Sequence, residues 1–229
     1  MPTALLEPGP DTVHWGYFDA GLSPRLAVNS GERVTISSVS GGPELMPAPP
    51  LKVPPALPAI HAKIAPKLGP HILTGPVAVR GAKPGQVLQV EIEAIDCLYD
   101  WGYSAVRPLA GALPDDFAER RVFHIPLDRA AGSWRLPWGQ QVPFKPFFGV
   151  MGTAPPPAWG PISTAPPRRN GGNMDNKELV AGSTLYLPIF VKDALFSVGD
   201  GHGAQGDGEV CEHRSEEHTS ELQSLTNLV

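Results

Sequence analysis

The chain has 229 residues, 28 of them proline and 25 glycine, and a formal net charge of −5. So many helix-interrupting residues exclude a helix bundle, yet a hydrophobic fraction of 41% is that of a globular protein, not a disordered tract. The negative charge argues against nucleic acid as a partner, whose phosphates call for a Lys/Arg surface, and no apolar run approaches the roughly 20 residues that span a bilayer.

The N-terminal "MPTALLEPGPDTV" has no basic segment and only a short apolar run, which does not make a signal peptide. Two cysteines, Cys97 and Cys211, cannot build a disulfide framework. The expected location is the cytoplasm. In "RLAVNSGERVTISSV", from Arg25 to Val39, two strands are joined by the turn signal "NSGE". Residues 41–70 are rich in Pro and Gly and read as a long surface excursion. After the turn "AKPGQ", Leu88, Val90, Ile92 and Ala94 alternate with polar residues, which predicts a half-buried strand. "RVFHIPL" and "SWRLPW" predict a strand pair around Asp128–Gly132, and "STLYLPIFV" a further strand. Helix is expected only around Leu113–Arg121 and after Gly206. Many short strands separated by Pro/Gly turns make a β-rich α+β fold, in packed sheets or barrel-like layers.

The last residues, "RSEEHTSELQSLTNLV", lose the Pro and Gly that mark the rest and resemble the conceptual translation of a sequencing-library adapter. The expected organisation is a domain over 1–213 whose C-terminal part is missing, followed by a non-native tail over 214–229. Arg214 stands there against Glu216, Glu217 and Glu221, so the rest of the chain is nearer −3. Burying its few apolar side chains returns only several kcal/mol against about 1–2 kcal/mol of backbone entropy per ordered residue. The tail is therefore expected to add nothing to the core.

Chemistry concentrates in "GDGHGAQGDGE", where Asp200, His202, Gln205, Asp207 and Glu209 lie within ten positions after an apolar run. Glycine lets such side chains converge on one point, and Asp, His and Glu are ligands for zinc or another divalent metal. The plain alternative is a solvated turn. The spacing is not that of an EF-hand, because His202 and Ala204 stand where acidic or amide ligands belong. No GxxxxGK[ST] phosphate loop is present either. A second polar patch, "PPRRNGGNMDNKEL", carries Asn173 and Asp175, and a third, "GPHILTGPV", carries His71 and Thr74. The plain alternatives are a surface loop and a satisfied core histidine. His124, His14 and His61 offer less. No GxSxG elbow is present, and Cys97 reads as a small buried hydrophobe.

Together the blocks "HWGYFDAGLSPRLAVNSGERV", "HILTGPVAVRGAKPGQVLQVEI" and "PPRRNGGNMDNKELVAGSTLYLPIFVKDALFSVGDGHGAQGDGEVC" resemble the acetamidase/formamidase family. The pairing of "GGNMDN" with "GDGHGAQGDGE" is the specific element. The resemblance implies hydrolysis of short-chain amides to a carboxylate and ammonia, a β-rich α+β fold, a homo-oligomer and divalent-metal dependence. Family members continue past the position of Cys211, where this chain turns into the adapter-like segment.

Residue chemistry then suggests roles. Asp200 and His202, with His71 and Asp175 from other segments, are expected to hold a divalent metal, with zinc favoured. Glu209 is the expected general base, and Asp207 and His202 are further catalytic candidates. Asn173, Gln205 and Thr74 are the expected substrate-binding groups, and Trp15, Tyr17 and Trp101 are available as pocket walls. The rival expectation is a β-rich protein that binds a small amide without hydrolysing it. A third is a chain left inactive by its missing part.

Overall fold

The computed structural model describes residues 4–111, 113 and 115–207 and, for the backbone only, 216–217 and 220–228. Short strands β1 (Ala4–Leu6), β2 (Val13–Trp15), β3 (Tyr17–Phe18), β4 (Leu26–Val28) and β5 (Arg33–Ser38) lead into helix α1 (Ala56–Lys63). They are followed by β6 (Ile72–Val79), β7 (Val87–Cys97), β8 (Trp101–Val106), β9 (Arg121–Asp128), β10 (Ser133–Arg135), β11 (Gln141–Pro143) and β12 (Phe147–Gly152). Then come β13 (Ile162–Ser163), β14 (Gly171–Asn173), β15 (Thr184–Pro188) and β16 (Phe196–His202), with backbone strands β17 (Glu216–Glu217) and β18 (Ser220–Leu228).

The strands form a five-stranded sheet, β1-β5-β18-β7-β15, and a larger one that runs β11-β10-β9-β8-β17-β16-β12-β14, with β6 pairing to β16 and carrying β2 and β4. Alternation supplies the core. Val34 and Ile36 of β5 and Leu88, Val90 and Ile92 of β7 meet Val77 and Val79 of β6, Met151 of β12 and Phe196 and Val198 of β16 in one buried cluster. Each such side chain contributes about 1.5–3 kcal/mol by leaving water. The fold is β-rich α+β, as the strand pattern predicts. No helix among the described residues is long and apolar enough to cross a membrane.

Several local expectations hold. Gly85 has φ 91° after Pro84, and the amide of Gln86 donates to the carbonyl of Lys83 at 3.2 Å, closing the predicted turn. β9 and β10 pair antiparallel around the predicted turn. "NSGE" also turns, with the amide of Glu32 donating to the carbonyl of Asn29. The two strands beside it part company, however: β4 pairs with β6, and β5 with β1 and β18.

Two expectations are corrected. Residues 41–70 are not only surface, because α1 lies there and buries Leu57 and Ile60 against Val13, Trp15, Val39 and Ile72. Pro58 sits in its first turn, where the missing N–H would have had no helical partner. The stretch 113–121 is not helical where described. Leu113 and Phe117 are exposed, so no buried face offsets the cost of helix nucleation. The C-terminal segment is described by its backbone alone. The backbone of β18 pairs antiparallel with both β5 and β7, and β17 pairs with β16 and β8. Two strand edges that face each other across one strand's width accept a third strand through main-chain groups, whatever its side chains.

His14, buried on β2, fastens that strand to β16. Its Nδ1 donates to the carbonyl of Tyr17 at 2.6 Å, so Nε2 accepts from the hydroxyl of Ser197 at 2.9 Å. Burial drives its pKa down to about 4; the Tyr17 bond opposes this and the charge of Arg25 adds to it. Between that value and the ordinary 6.5 the unfolded chain binds a proton that the folded chain refuses. Stability is therefore full above about pH 6.5 and is lost as pH falls toward 4, by up to about 3 kcal/mol. Urea midpoints at pH 7 and pH 4.5 should show this drop in the wild type and a smaller one in His14→Gln. Equal drops in both would remove His14 from the account.

Candidate metal centre

β12 and β16 run antiparallel at the middle of the larger sheet, with Met151 opposite Val198 and Phe147 opposite His202. Between these pairs the register sets Gly149 opposite Asp200. One face of this ribbon thus passes from an apolar pair in the core to a polar group at its far end. The first part of the glycine-rich run, Gly199 to His202, is buried strand and not turn, since β16 extends through His202 with every residue buried. Glycine is needed for that depth: a Cβ on Gly199 would come within 2.2 Å of the carbonyl oxygen of Ile72 on β6.

Three segments deliver four side chains to one point. Leu73 of β6 pairs with Gly199, which brings His71 alongside the end of β16. Its Nε2 lies 3.6 Å from Oδ2 of Asp200. The same oxygen lies 3.5 Å from Nε2 of His202. Asp175 follows β14, and its amide and that of Met174 both donate to the carbonyl of Gly149, at 3.2 and 2.9 Å. Its Oδ1 lies 3.4 Å from Nε2 of His202. Both acidic residues have left-handed backbones, with φ 43° at Asp175 and 61° at Asp200. Asp tolerates this region better than most residues, and strained backbone clusters at functional sites.

The donor set fits a divalent cation. Ligand atoms of Asp175, Asp200 and His202 lie within 4.8 Å of one another. Separations of 3.4–3.6 Å match the roughly 3.3–3.4 Å edge of a tetrahedron with ligands at about 2.0–2.1 Å. Neither ring nitrogen of His202 nor Oδ1 of Asp175 has a hydrogen-bond partner among the described residues, although these atoms are buried. Buried polar atoms left so are rare and need a reason. Burial opposes a charge on His202, but the carboxylates of Asp200 and Asp175 outweigh it and raise its pKa to about 10. The field that holds a proton on this ring equally favours a divalent cation in its place. Imidazole with carboxylate suits zinc better than calcium.

The other candidates fall differently. Gln205 stands next to the cluster, its Nε2 donating to the carbonyl of Asp175 at 2.7 Å. Asn173 lies two residues before Asp175, and its Nδ2 is engaged by the carbonyl of Ala165. Thr74 is buried within β6, opposite Val13 and Val198. Asp207 is not brought to the cluster: its side chain is 94% exposed and pairs with Lys177 at 3.3 Å. Glu209 lies outside the described residues, as does Cys211. His124 and His61 bond backbone carbonyls, as satisfied histidines should. Cys97 is buried, with Sγ against the carbonyl of Tyr99. Trp101 is buried with its Nε1 donating to the carbonyl of Lys52, and Tyr17 lies under Lys67. Trp15 helps line a surface cavity of about 600 Å³ with His61, Tyr103 and Arg120; none of the four convergent side chains lines it. The cluster is thus defined by donor geometry and not by that cavity.

Two neighbours carry no titratable signal and were not foreseen. Phe147 stacks on the ring of His202, with centroids 4.6 Å apart. Gly149 sits at the centre of the donors. A glycine inside the apolar run "FFGVMG" was its only trace in the sequence.

Comparison with known proteins follows the same outline. The model of the acetamidase/formamidase family matches residues 67–160 and 158–222. The chain is 31% identical over 191 residues to a formamidase of Methylophilus methylotrophus, covering 61% of this chain and 47% of that protein. It is 29% identical over 202 residues to an acetamidase of Mycolicibacterium smegmatis, covering 61% and 49%. It therefore spans about half the length of these relatives. The crystal structure of an acetamidase from Bacillus halodurans superposes with a TM-score of 0.81 at 26% identity, covering 98% of this chain and 70% of that one.

Proposed function

Because this chain belongs to the acetamidase/formamidase family, we propose that it serves hydrolysis of a short linear amide to a carboxylate and ammonia, at a zinc site formed by His71, Asp175, Asp200 and His202. One observation carries the reading: buried donors of Asp175, Asp200 and His202 lie within 4.8 Å of one another, with His71 3.6 Å from Asp200. A divalent ion held there supplies polarisation of the amide carbonyl and lowers the pKa of water to about 7. The protein's own part is to fix the donors. Phe147 clamps the His202 ring, the Gly149 carbonyl fixes the backbone of Asp175, and Gln205 holds the Asp175 carbonyl. Asn173, close to Asp175 in the chain, is assigned to orient the substrate amide. Amide cleavage also needs a group that takes a proton from water and returns one to the leaving nitrogen. Glu209, seven residues after His202, is assigned that role, worth roughly 10²–10⁴-fold. The protein is proposed to work as a homo-oligomer.

Ammonia release from formamide, acetamide and hexanamide tests the reading. In a small closed pocket each methylene changes kcat/KM by roughly 10–200-fold, so the two short amides should be turned over far faster. Preference for hexanamide would discard the small pocket. Saturable amide binding with no ammonia from the zinc-loaded protein would establish the binding-protein alternative instead.

A further inference from the structure

We propose that Gly149 is a positioning residue: its lack of a side chain lets donors of Asp175, Asp200 and His202 close around a cation. The inference rests on the zinc reading above. An ideal Cβ built on Gly149 would stand 2.4 Å from Oδ1 of Asp175, 2.7 Å from Nε2 of His202 and 2.8 Å from Oδ2 of Asp200. No methyl carbon fits at those distances. A side chain at this position would therefore push aside one donor from each of the three residues.

The backbone does not demand glycine. The φ of Gly149 lies outside the left-handed region that the neighbouring glycines Gly171 and Gly172 occupy. Its carbonyl, which accepts from the amides of Met174 and Asp175, would be the same in alanine. The effect of adding a methyl group thus falls on the donors and not on the strand. Gly199 is the contrast: there a Cβ would meet main chain, the carbonyl of Ile72.

The test is zinc titration of the wild type and Gly149→Ala, with elemental analysis, circular dichroism and thermal melts with and without chelator. The expected result is one zinc per wild-type chain, and in Gly149→Ala a native spectrum, zinc at background, a Kd weakened by at least about 100-fold and a Tm that chelator does not move. Full zinc binding by Gly149→Ala overturns the proposal. A wild type that binds no zinc and ignores chelator overturns the metal reading, and this inference with it. If Gly149→Ala does not fold, the double variant Gly149→Ala/Asp175→Gly decides, because it removes the donor that lies nearest the added methyl group, at 2.4 Å. Recovery of folding there supports the positioning role, whereas equal damage in both backgrounds overturns it.

Discussion

Asp200→Ala is expected to bring both zinc content and ammonia release from acetamide down to background. Oδ2 of Asp200 is the hub of the cluster, 3.6 Å from His71 and 3.5 Å from His202. Loss of an outer-shell partner costs roughly 10–100-fold in affinity or activity, and loss of a first ligand should exceed that. Alanine is also disfavoured at φ 61°, so Asp200→Asn is the cleaner companion. It keeps the shape and tolerates the backbone but removes the charge. Elemental analysis and an ammonia assay on both variants check the argument. A variant with stoichiometric zinc and wild-type rate would take Asp200 out of the site.

Phe147→Ala should produce the second large effect. The side chain is fully buried and lies against the His202 ring. Truncating a buried Phe to Ala costs about 3–5 kcal/mol, a large part of the roughly 5–15 kcal/mol that holds a domain folded. Phe147→Leu fills more of the space and should cost less. If the ring serves as a wall for His202, both variants lose zinc affinity even under conditions where they remain folded. A lowered urea midpoint with unchanged zinc affinity in Phe147→Leu would limit Phe147 to packing.

Fold class was legible because strand alternation and Pro/Gly turns are local. β7 shows it in Leu88, Val90 and Ile92, all buried as predicted. α1 was hidden because Pro54, Pro55 and Pro58 mark breaks, while the reason for the helix, burial of Leu57 and Ile60, is tertiary. Within the candidate site, residue chemistry pointed to His71, Asp175, Asp200 and His202, which the fold brings together from three segments. Proximity in sequence misled for Asp207, which follows the strand's end out to the surface. Gly149 could not be foreseen, since its role depends on what lies opposite it across the sheet.

The four convergent side chains are not equally accessible. Those of His71 and Asp200 are 1% exposed and that of His202 is 0%, while that of Asp175 is 16%. The three sealed residues belong to neighbouring paired segments of one sheet, and Asp175 rides on a loop tied down by a few bonds to Gly149 and Gln205. How tightly a cation would be held is a property of all four. How quickly it would arrive and depart is set by Asp175, because that is where the cluster meets the solvent. A change that loosens the Asp175 loop would therefore speed departure and weaken the hold together.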